Sequence, residues 1–335
     1  MNPSVLILGA TGSIGYAVTR YLLRQHYRVT ILVRNRQKAV SLFGQSAHLT
    51  VVEGDAQNAA FLQSLAKGKD FVFHGINYPY HQWFGQMDVV TQKLIDAVDP
   101  ETTLVFPGNI YSFGLSQTPI REDALPNPCS RKGELRLHIE QMLEEAALAG
   151  KCRVINVRLP DFWGPNVMND GVKPVFVNAL TGKAIPWLYN ADIPHQTVYT
   201  PDAAVIIGRL MALSSAGNTA LSPAYSVWNY GGHTFGSMRS LFQHLTQLTG
   251  QPLRVTIYSK LFVSLMGWFI PVLREVKEMG YLYENTVLLD DSRVRTLFPD
   301  FAETPLDDAL TETLGWFARE HKLPFSPGHQ AATVR

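Results

Sequence analysis

The chain carries only two cysteines, Cys129 and Cys152, among 335 residues. That scarcity excludes a disulfide framework or a thiolate zinc cage and suits a reducing compartment. A surplus of charge is missing too: 29 Lys and Arg face 28 Asp and Glu, a formal net charge of +1. With no single-sign field to steer it, neither nucleic acid nor an anionic membrane is an expected partner. Long hydrophobic runs are scarce. The stretch Leu261 to Leu273 reads LFVSLMGWFIPVL, interrupted at Gly267 and Pro271. As a helix it would span about 20 Å, short of the roughly 30 Å hydrocarbon core. It is therefore expected to be a core or interface helix, suited to a homodimer contact, with a surface touching membrane or a partner as the other reading. The opening Met1-Asn2-Pro3-Ser4 has no basic n-region ahead of the first apolar run and does not read as a signal peptide, so a cytoplasmic location is expected. Neither a Gly-x-Ser-x-Gly elbow nor His-Glu-x-x-His nor a paired Cys-x-x-Cys occurs, so no metal site is expected.

What is present is core material. The chain is 46% hydrophobic and 11% aromatic, which excludes intrinsic disorder and collagen-like repetition. At roughly 100–200 residues per domain, the length suits two domains or one with an added lobe. Ser4–Leu8 is a continuous apolar run, as in a strand buried on both faces, and it breaks at Gly9. Ile14, Val18, Tyr21 and Leu22 follow at helical spacing, and Arg28–Val33 reads as the second strand of a βαβ unit. Strands are predicted at Leu49–Glu53, Asp70–Phe73, Leu104–Pro107 and Arg153–Arg158. Helices are predicted at Ala59–Ala66, Met87–Ala97 and Ser130–Ala149. This alternation predicts an α/β fold with a Rossmann-type doubly wound parallel sheet over residues 1–158. A smaller α+β substrate lobe is expected over 159–326, where prolines break the alternation, and a flexible tail over 327–335.

The sharpest motif is Gly9-Ala10-Thr11-Gly12-Ser13-Ile14-Gly15, between the first strand and the first helix. Gly9 permits a tight turn, Gly12 leaves room for backbone to approach a pyrophosphate, and Gly15 lets helix and strand pack closely. Thr11, Ser13 and Ile14 complete the candidate cradle at a helix N-terminus, where free amides and the dipole favour negative charge. The second strand runs into Arg34-Asn35-Arg36, with no acid before Glu53. Since Arg34 can pair with a 2′-phosphate, NADP is the expected cofactor, with NAD as the alternative.

These residues resemble the extended, atypical short-chain dehydrogenase/reductase superfamily, specifically its NAD(P)-dependent epimerase/dehydratase branch. Besides the glycine loop, the resemblance rests on Gly54-Asp55, Asp70-Phe71-Val72-Phe73-His74-Gly75, Phe162-Trp163-Gly164-Pro165, the segment Val198 to Ala204 and Trp228 to Gly232. It implies that Asp55 contacts the adenine and that the C-terminal lobe binds a small-molecule substrate, often a nucleotide sugar. The usual catalytic set is altered. Asn109 stands where the family has a hydroxyl, and Phe113 replaces the tyrosine of a Tyr-Gly pair. Aligning on Glu140 puts Lys132 and Arg136 at the tyrosine and lysine positions of Tyr-x-x-x-Lys.

Several chemistries remain open for these positions. Residues 132, 136 and 140 share one helical face, expected to point at the nicotinamide. Lys132 is then a general acid, half of an anion clamp with Arg136, or a solvated side chain; Arg136 can hold ribose or phosphate but not give up a proton. Asn109 can polarise a substrate oxygen or cap its loop, and Tyr111 is either a substitute proton donor or packing. Tyr80, His81 and Trp83 would form a wall of the substrate crevice or plain loop packing, and Tyr199 would close the pocket from the second lobe. An NADP-dependent enzyme moving hydride at a carbonyl or alcohol carbon is the leading expectation. The alternative is a catalytically idle dinucleotide-binding redox sensor.

Overall fold

The structure is a computed structural model that describes residues 2–221 and 223–326. The tail expected over 327–335 lies outside the described residues. The first half alternates as the sequence implies. In order come β1 (Ser4–Leu8), α1 (Ser13–Arg24), β2 (Arg28–Val33), α2 (Arg36–Phe43), β3 (Leu49–Glu53), α3 (Ala59–Ala66) and β4 (Phe71–His74). Then follow α4 (Met87–Ala97), β5 (Thr103–Asn109), α5 (Arg131–Leu148) and β6 (Arg153–Leu159). Side chains alternate across a strand, and β1 shows why its run is wholly apolar. Val5 and Ile7 join a core beneath α1, while Leu6 and Leu8 join a second core beneath α4 and α5.

Beyond β6 the elements are β7 (Asp161–Trp163), α6 (Lys173–Thr181), β8 (Ile185–Leu188), β9 (His195–Tyr199), α7 (Thr200–Ser215), β10 (Tyr225–Asn229) and β11 (His233–Phe235). The chain ends with α8 (Met238–Thr249), β12 (Val255–Tyr258), α9 (Lys260–Met266), α10 (Pro271–Lys277), α11 (Ser292–Leu297) and α12 (Leu306–His321). The main sheet is a seven-stranded parallel array in the order β10-β6-β5-β4-β1-β2-β3. The second lobe expected over 159–326 is therefore not contiguous in sequence. Strand β10 returns to edge β6, and α7 returns to α1, where Gly208 brings its backbone against the Tyr21 ring. The second lobe itself carries the β11-β9-β7 and β12-β8 sheets and a separate aromatic core, in which Phe176 and Phe317 stack at 5.3 Å.

Strand order reverses between β1 and β4, so a crevice opens at their C-terminal ends, the usual ligand position in such sheets. A buried ion pair braces the neighbouring β6. Arg158 donates through Nη2 and Nε to Glu140 Oε2 at 2.9 and 3.2 Å, and through Nη1 to the Glu122 carbonyl at 3.1 Å. Its guanidinium also lies 4.8 Å over the Phe113 ring.

One expectation is corrected. Leu261–Leu273 is no core helix: it divides into α9 and α10, with Gly267 capping the first and Pro271 opening the second. Val263 is fully enclosed, whereas Leu261, Leu265 and Trp268 are 78%, 62% and 88% exposed. The proline and glycine that interrupt the run also break the helix, so its apolar side chains cannot share one buried face.

Because Arg158 would be left as an uncompensated buried charge, Glu140→Ala should cost about 3–5 kcal/mol of stability. Urea unfolding followed by circular dichroism reads this directly.

Candidate active site

The glycine loop has the geometry an anion cradle needs. Gly9 sits at φ +78°, and a Cβ there would lie 2.2 Å from the Gly75 carbonyl oxygen, so no other residue fits. Gly15 is equally constrained, since its Cβ would meet the Gly9 oxygen at 2.3 Å. Together they draw β1, β4 and the start of α1 into close contact. The first bond to the α1 cap runs from the Tyr16 amide to the Gly12 carbonyl at 2.8 Å. No side chain caps this helix, so the amides of Ser13, Ile14 and Gly15 are free to bind an anion. The second lobe reaches back to the loop here: the Asn166 amide donates to the Thr11 and Gly12 carbonyls at 3.2 and 3.4 Å. Sequence reading missed Asn166, whose signal was its place directly after the Phe-Trp-Gly-Pro motif.

Arg34 is exposed at the end of β2 and has no ion-pair partner among the described residues, whereas Arg36 is committed to the Val51 carbonyl at 2.6 Å. Asp55 is exposed after β3, and its Oδ1 accepts from the Gln57 amide at 2.9 Å.

From this loop a cavity of about 640 Å³ runs between the sheet's C-terminal edge and the second lobe. Ile14 of α1 lines one end, with Gly75, Ile76 and Asn109 behind it. Two phenols face each other on its wall, the Tyr80 and Tyr111 hydroxyls being 3.0 Å apart. Trp83 backs them, edge-on to Tyr80 at 5.0 Å and stacked on Tyr111 at 6.3 Å, with its indole N–H held by the Tyr78 carbonyl. Burial pushes both phenols above the usual tyrosine range, and the nearby Asp161 charge adds to it. Asn109 Oδ1 accepts from the Tyr111 amide at 3.1 Å, so the loop-capping reading is realised while its amide N–H groups stay available.

Arg136 lines the same cavity. Its Nη2 donates to the Pro107 carbonyl at 2.9 Å, and its guanidinium lies 4.7 Å over Phe106. Desolvation, reinforced by Arg136, drives the buried His74 down to about 3. The neutral ring is 2.9 Å from the Thr91 hydroxyl, which itself donates to the Met87 carbonyl. His74 Nε2 must then carry the proton, leaving Nδ1 a buried acceptor without a partner among the described residues. Asp161 and Tyr283, which sequence reading passed over, also line the cavity. Asp161 Oδ2 lies 3.3 Å from His195 Nε2, and Tyr283 stacks on the His195 ring at 6.3 Å. Their distance along the chain hid them: the β9–β7 pairing brings Asp161 beside His195, and the turn after α10 brings Tyr283 onto the same ring.

Three expected residues stand elsewhere. Lys132 does not open onto the cavity: it is 1% exposed and its Nζ is held by Glu275 at 2.7 Å and Glu278 at 2.8 Å. It lies 5.2 Å from the centre of the Tyr80 ring, behind the phenol pair rather than in front of it. His81 points outward, beside Gln82. Tyr199 is buried in the second-lobe core, packed on Trp163 at 5.1 Å and donating its hydroxyl to Glu312. Tyr199 shares a face of β9 with His195 and Thr197, which do line the cavity, but it stands at the strand's end, where Trp163 and Glu312 enclose it. Among the described residues no cluster of His, Cys, Asp or Glu could hold a metal ion.

Comparisons with known proteins agree with this architecture. The profile of the NmrA-like family matches residues 1–102. No match is found among the curated proteins. A UDP-glucuronic acid 4-epimerase from Bacillus cereus, in complex with NAD, superposes at a TM-score of 0.73 with 16% identity, covering 95% of this chain and 99% of that one. The enzyme WbmH from Bordetella bronchiseptica, in complex with NAD+, gives 0.74 and 18%, covering 96% and 100%. A dTDP-glucose 4,6-dehydratase from Bacillus anthracis, in complex with NAD, gives 0.75 and 16%, covering 96% and 98%. The resemblance drawn from the sequence, to extended short-chain dehydrogenase/reductases of the epimerase/dehydratase type, is borne out in the fold.

Removing the Lys132 charge would leave two carboxylates facing each other under α10. Lys132→Met should therefore loosen that helix, and limited proteolysis should cut between residues 260 and 280 at least about tenfold faster than in the parent protein.

Proposed function

We propose that the protein is an NAD(P)-dependent oxidoreductase that moves hydride at a carbonyl or alcohol carbon. One observation carries this reading: Ile14, in the uncapped first turn of α1, and the Tyr80–Tyr111 pair line the same cavity. A nicotinamide dinucleotide bound there would supply the hydride. The residues present fit such a group. Ser13, Ile14 and Gly15 amides would hold the diphosphate, Asp55 the adenine end, and Arg136 the ribose or carboxamide nearest the phenols. Arg34 would take a 2′-phosphate, which favours NADP over the NAD found with the structurally similar proteins.

The phenols favour the reducing direction. In the arrangement that the resemblance implies, a lysine beside the catalytic tyrosine lowers its pKa so that it can act as a base. Here the ammonium of Lys132 is cancelled by Glu275 and Glu278, and burial raises both tyrosines. Protonated phenols at neutral pH are proton donors. As hydride reaches the carbonyl carbon, the pair gives its proton to the carbonyl oxygen, whose developing alkoxide is far more basic than a phenolate. Arg136 offsets the negative charge left on the pair. The Asn109 amide is placed to donate to the same oxygen.

The second-lobe wall narrows the substrate. Phe176, Trp187, Leu241, Phe242, Val276 and Met279 face the cavity, and Arg136 is its one Lys or Arg side chain among the described residues. A nucleotide sugar's diphosphate would find no counter-charge on that wall, and burying it unpaired is costly. The lining favours an apolar carbonyl compound.

Two measurements test this reading. Tyr111→Phe and Tyr80→Phe should each lower kcat by about 10²–10⁴ while leaving dinucleotide affinity unchanged. A donor is lost as pH rises through its pKa, and these lie above the normal tyrosine range, so kcat for reduction should stay flat from neutral pH to roughly pH 9. A panel of apolar ketones and aldehydes, followed by NADPH absorbance, would reveal the activity. Tight binding with no consumption across the panel would favour the catalytically idle reading. Separately, Arg34→Glu should weaken NADPH at least about tenfold in calorimetry with little change for NADH.

A further inference from the structure

Helices α9 and α10 form a hairpin that roofs the cavity. On its inner side Leu273 and Val276 line the cavity, and Glu275 and Glu278 turn inward onto Lys132. The outer side is built quite differently. Leu261, Leu265, Trp268 and Phe269 are 78%, 62%, 88% and 79% exposed. Large apolar side chains gathered at the tip of a hairpin mark a surface that meets something other than water.

Charge identifies the occupant. With both carboxylates engaged from within, the charges left on the outer side of the hairpin are Lys260, Arg274 and Lys277, all cationic. Gly267 brings Arg274 against the aromatic tip, since a Cβ at 267 would lie 3.3 Å from the Arg274 Cα. Lys260 is tied to Glu284 at 2.6 Å and Arg274 is 3.9 Å from Glu275, but Lys277 is exposed without an ion pair among the described residues. Aromatic side chains ringed by cations match the headgroup layer of an anionic bilayer: rings sit at the acyl boundary while Lys and Arg reach the phosphates. Among the described residues no helix is long and apolar enough to cross a membrane, which leaves attachment in the plane of the surface.

We propose that the α9–α10 hairpin is a membrane-interfacial anchor. Trp268, Phe269, Leu261 and Leu265 enter the boundary of an anionic bilayer, Arg274 and Lys277 meet its phosphates, and the apolar substrate passes under the hairpin into the cavity. The docking stands on exposure and charge alone. The route of the substrate rests additionally on the reading of the cavity given above.

Co-sedimentation with vesicles tests the docking without any turnover. The protein should pellet with vesicles of phosphatidylcholine mixed with phosphatidylglycerol, and less as salt is raised. The double variant Trp268→Ser/Phe269→Ser should bind about tenfold more weakly or worse, while Arg274→Gln/Lys277→Gln should lose the preference over phosphatidylcholine alone. All four positions are on the outer side, so an unchanged circular dichroism spectrum and unfolding midpoint confirm that each variant is folded. Failure of the parent protein to pellet with either vesicle, or equal pelleting of the aromatic double variant, would overturn the proposal. So would a dimer in sedimentation velocity that the same variant converts to monomer without any vesicle binding. An inactive enzyme that still pellets on anionic vesicles would refute the redox reading and leave the docking intact.

Discussion

Three backbone segments meet within van der Waals contact at the sheet's switch point, and the remaining architecture is arranged around that meeting. Gly9 and Gly15 let β1, β4 and the first turn of α1 approach closer than any side chain would permit. The uncapped end of α1, whose Ile14 lines the cavity, thereby keeps free amides suited to an anion. The Asn166 amide ties the cradle's carbonyls to the second lobe. The cradle and the second lobe are thus in direct contact through this side chain.

Around that centre α5 departs from the pattern that the resemblance implies. Where the resemblance calls for tyrosine and lysine four residues apart, α5 carries Lys132 and Arg136. Their fates diverge because of what packs on them. Lys132 is claimed by two carboxylates from α10 and becomes a strut behind the Tyr80 ring. Arg136 stays on the cavity wall because its partners, the Pro107 carbonyl and the Phe106 ring, belong to β5 itself. The phenols arrive from two loops instead of one helix. The 3.0 Å contact between Tyr80 and Tyr111 joins the ends of β4 and β5.

The roof of the site links chemistry to surroundings. Glu275 and Glu278 tie α10 to Lys132 behind the Tyr80 ring, while Arg274, Lys277 and the aromatic tip are exposed to solvent. An element whose inner face is apolar toward a cavity and whose outer face is apolar toward solvent is unusual for a water-soluble lid. It gains a physical reason when both faces handle the same class of molecule.

The parallel sheet, the glycine cradle and the exposed Arg34 were legible in the chain because each depends on local rules: strand and helix periodicity, room for backbone, and the residue at one strand's end. Arg136 on the cavity wall and the pairing of Glu140 with Arg158 were only half visible, the first by its place on α5 and the second without its partner. Tyr111, Tyr80 and Trp83 could be named but not joined, and Asp161, His195 and Tyr283 could not be grouped at all. Their contacts span from about thirty to nearly ninety residues of chain and are set by how β7, β9 and the α10 region pack. Lys132, His81 and Tyr199 show the converse. A residue's type and spacing suggested chemistry for each, but a charge partner, an outward rotation or enclosure by Trp163 and Glu312 kept them out of the cavity. Composition and periodicity alone determined which backbone this chain would build; long-range packing decided which of its polar side chains share a wall, because only packing sets desolvation and charge pairing.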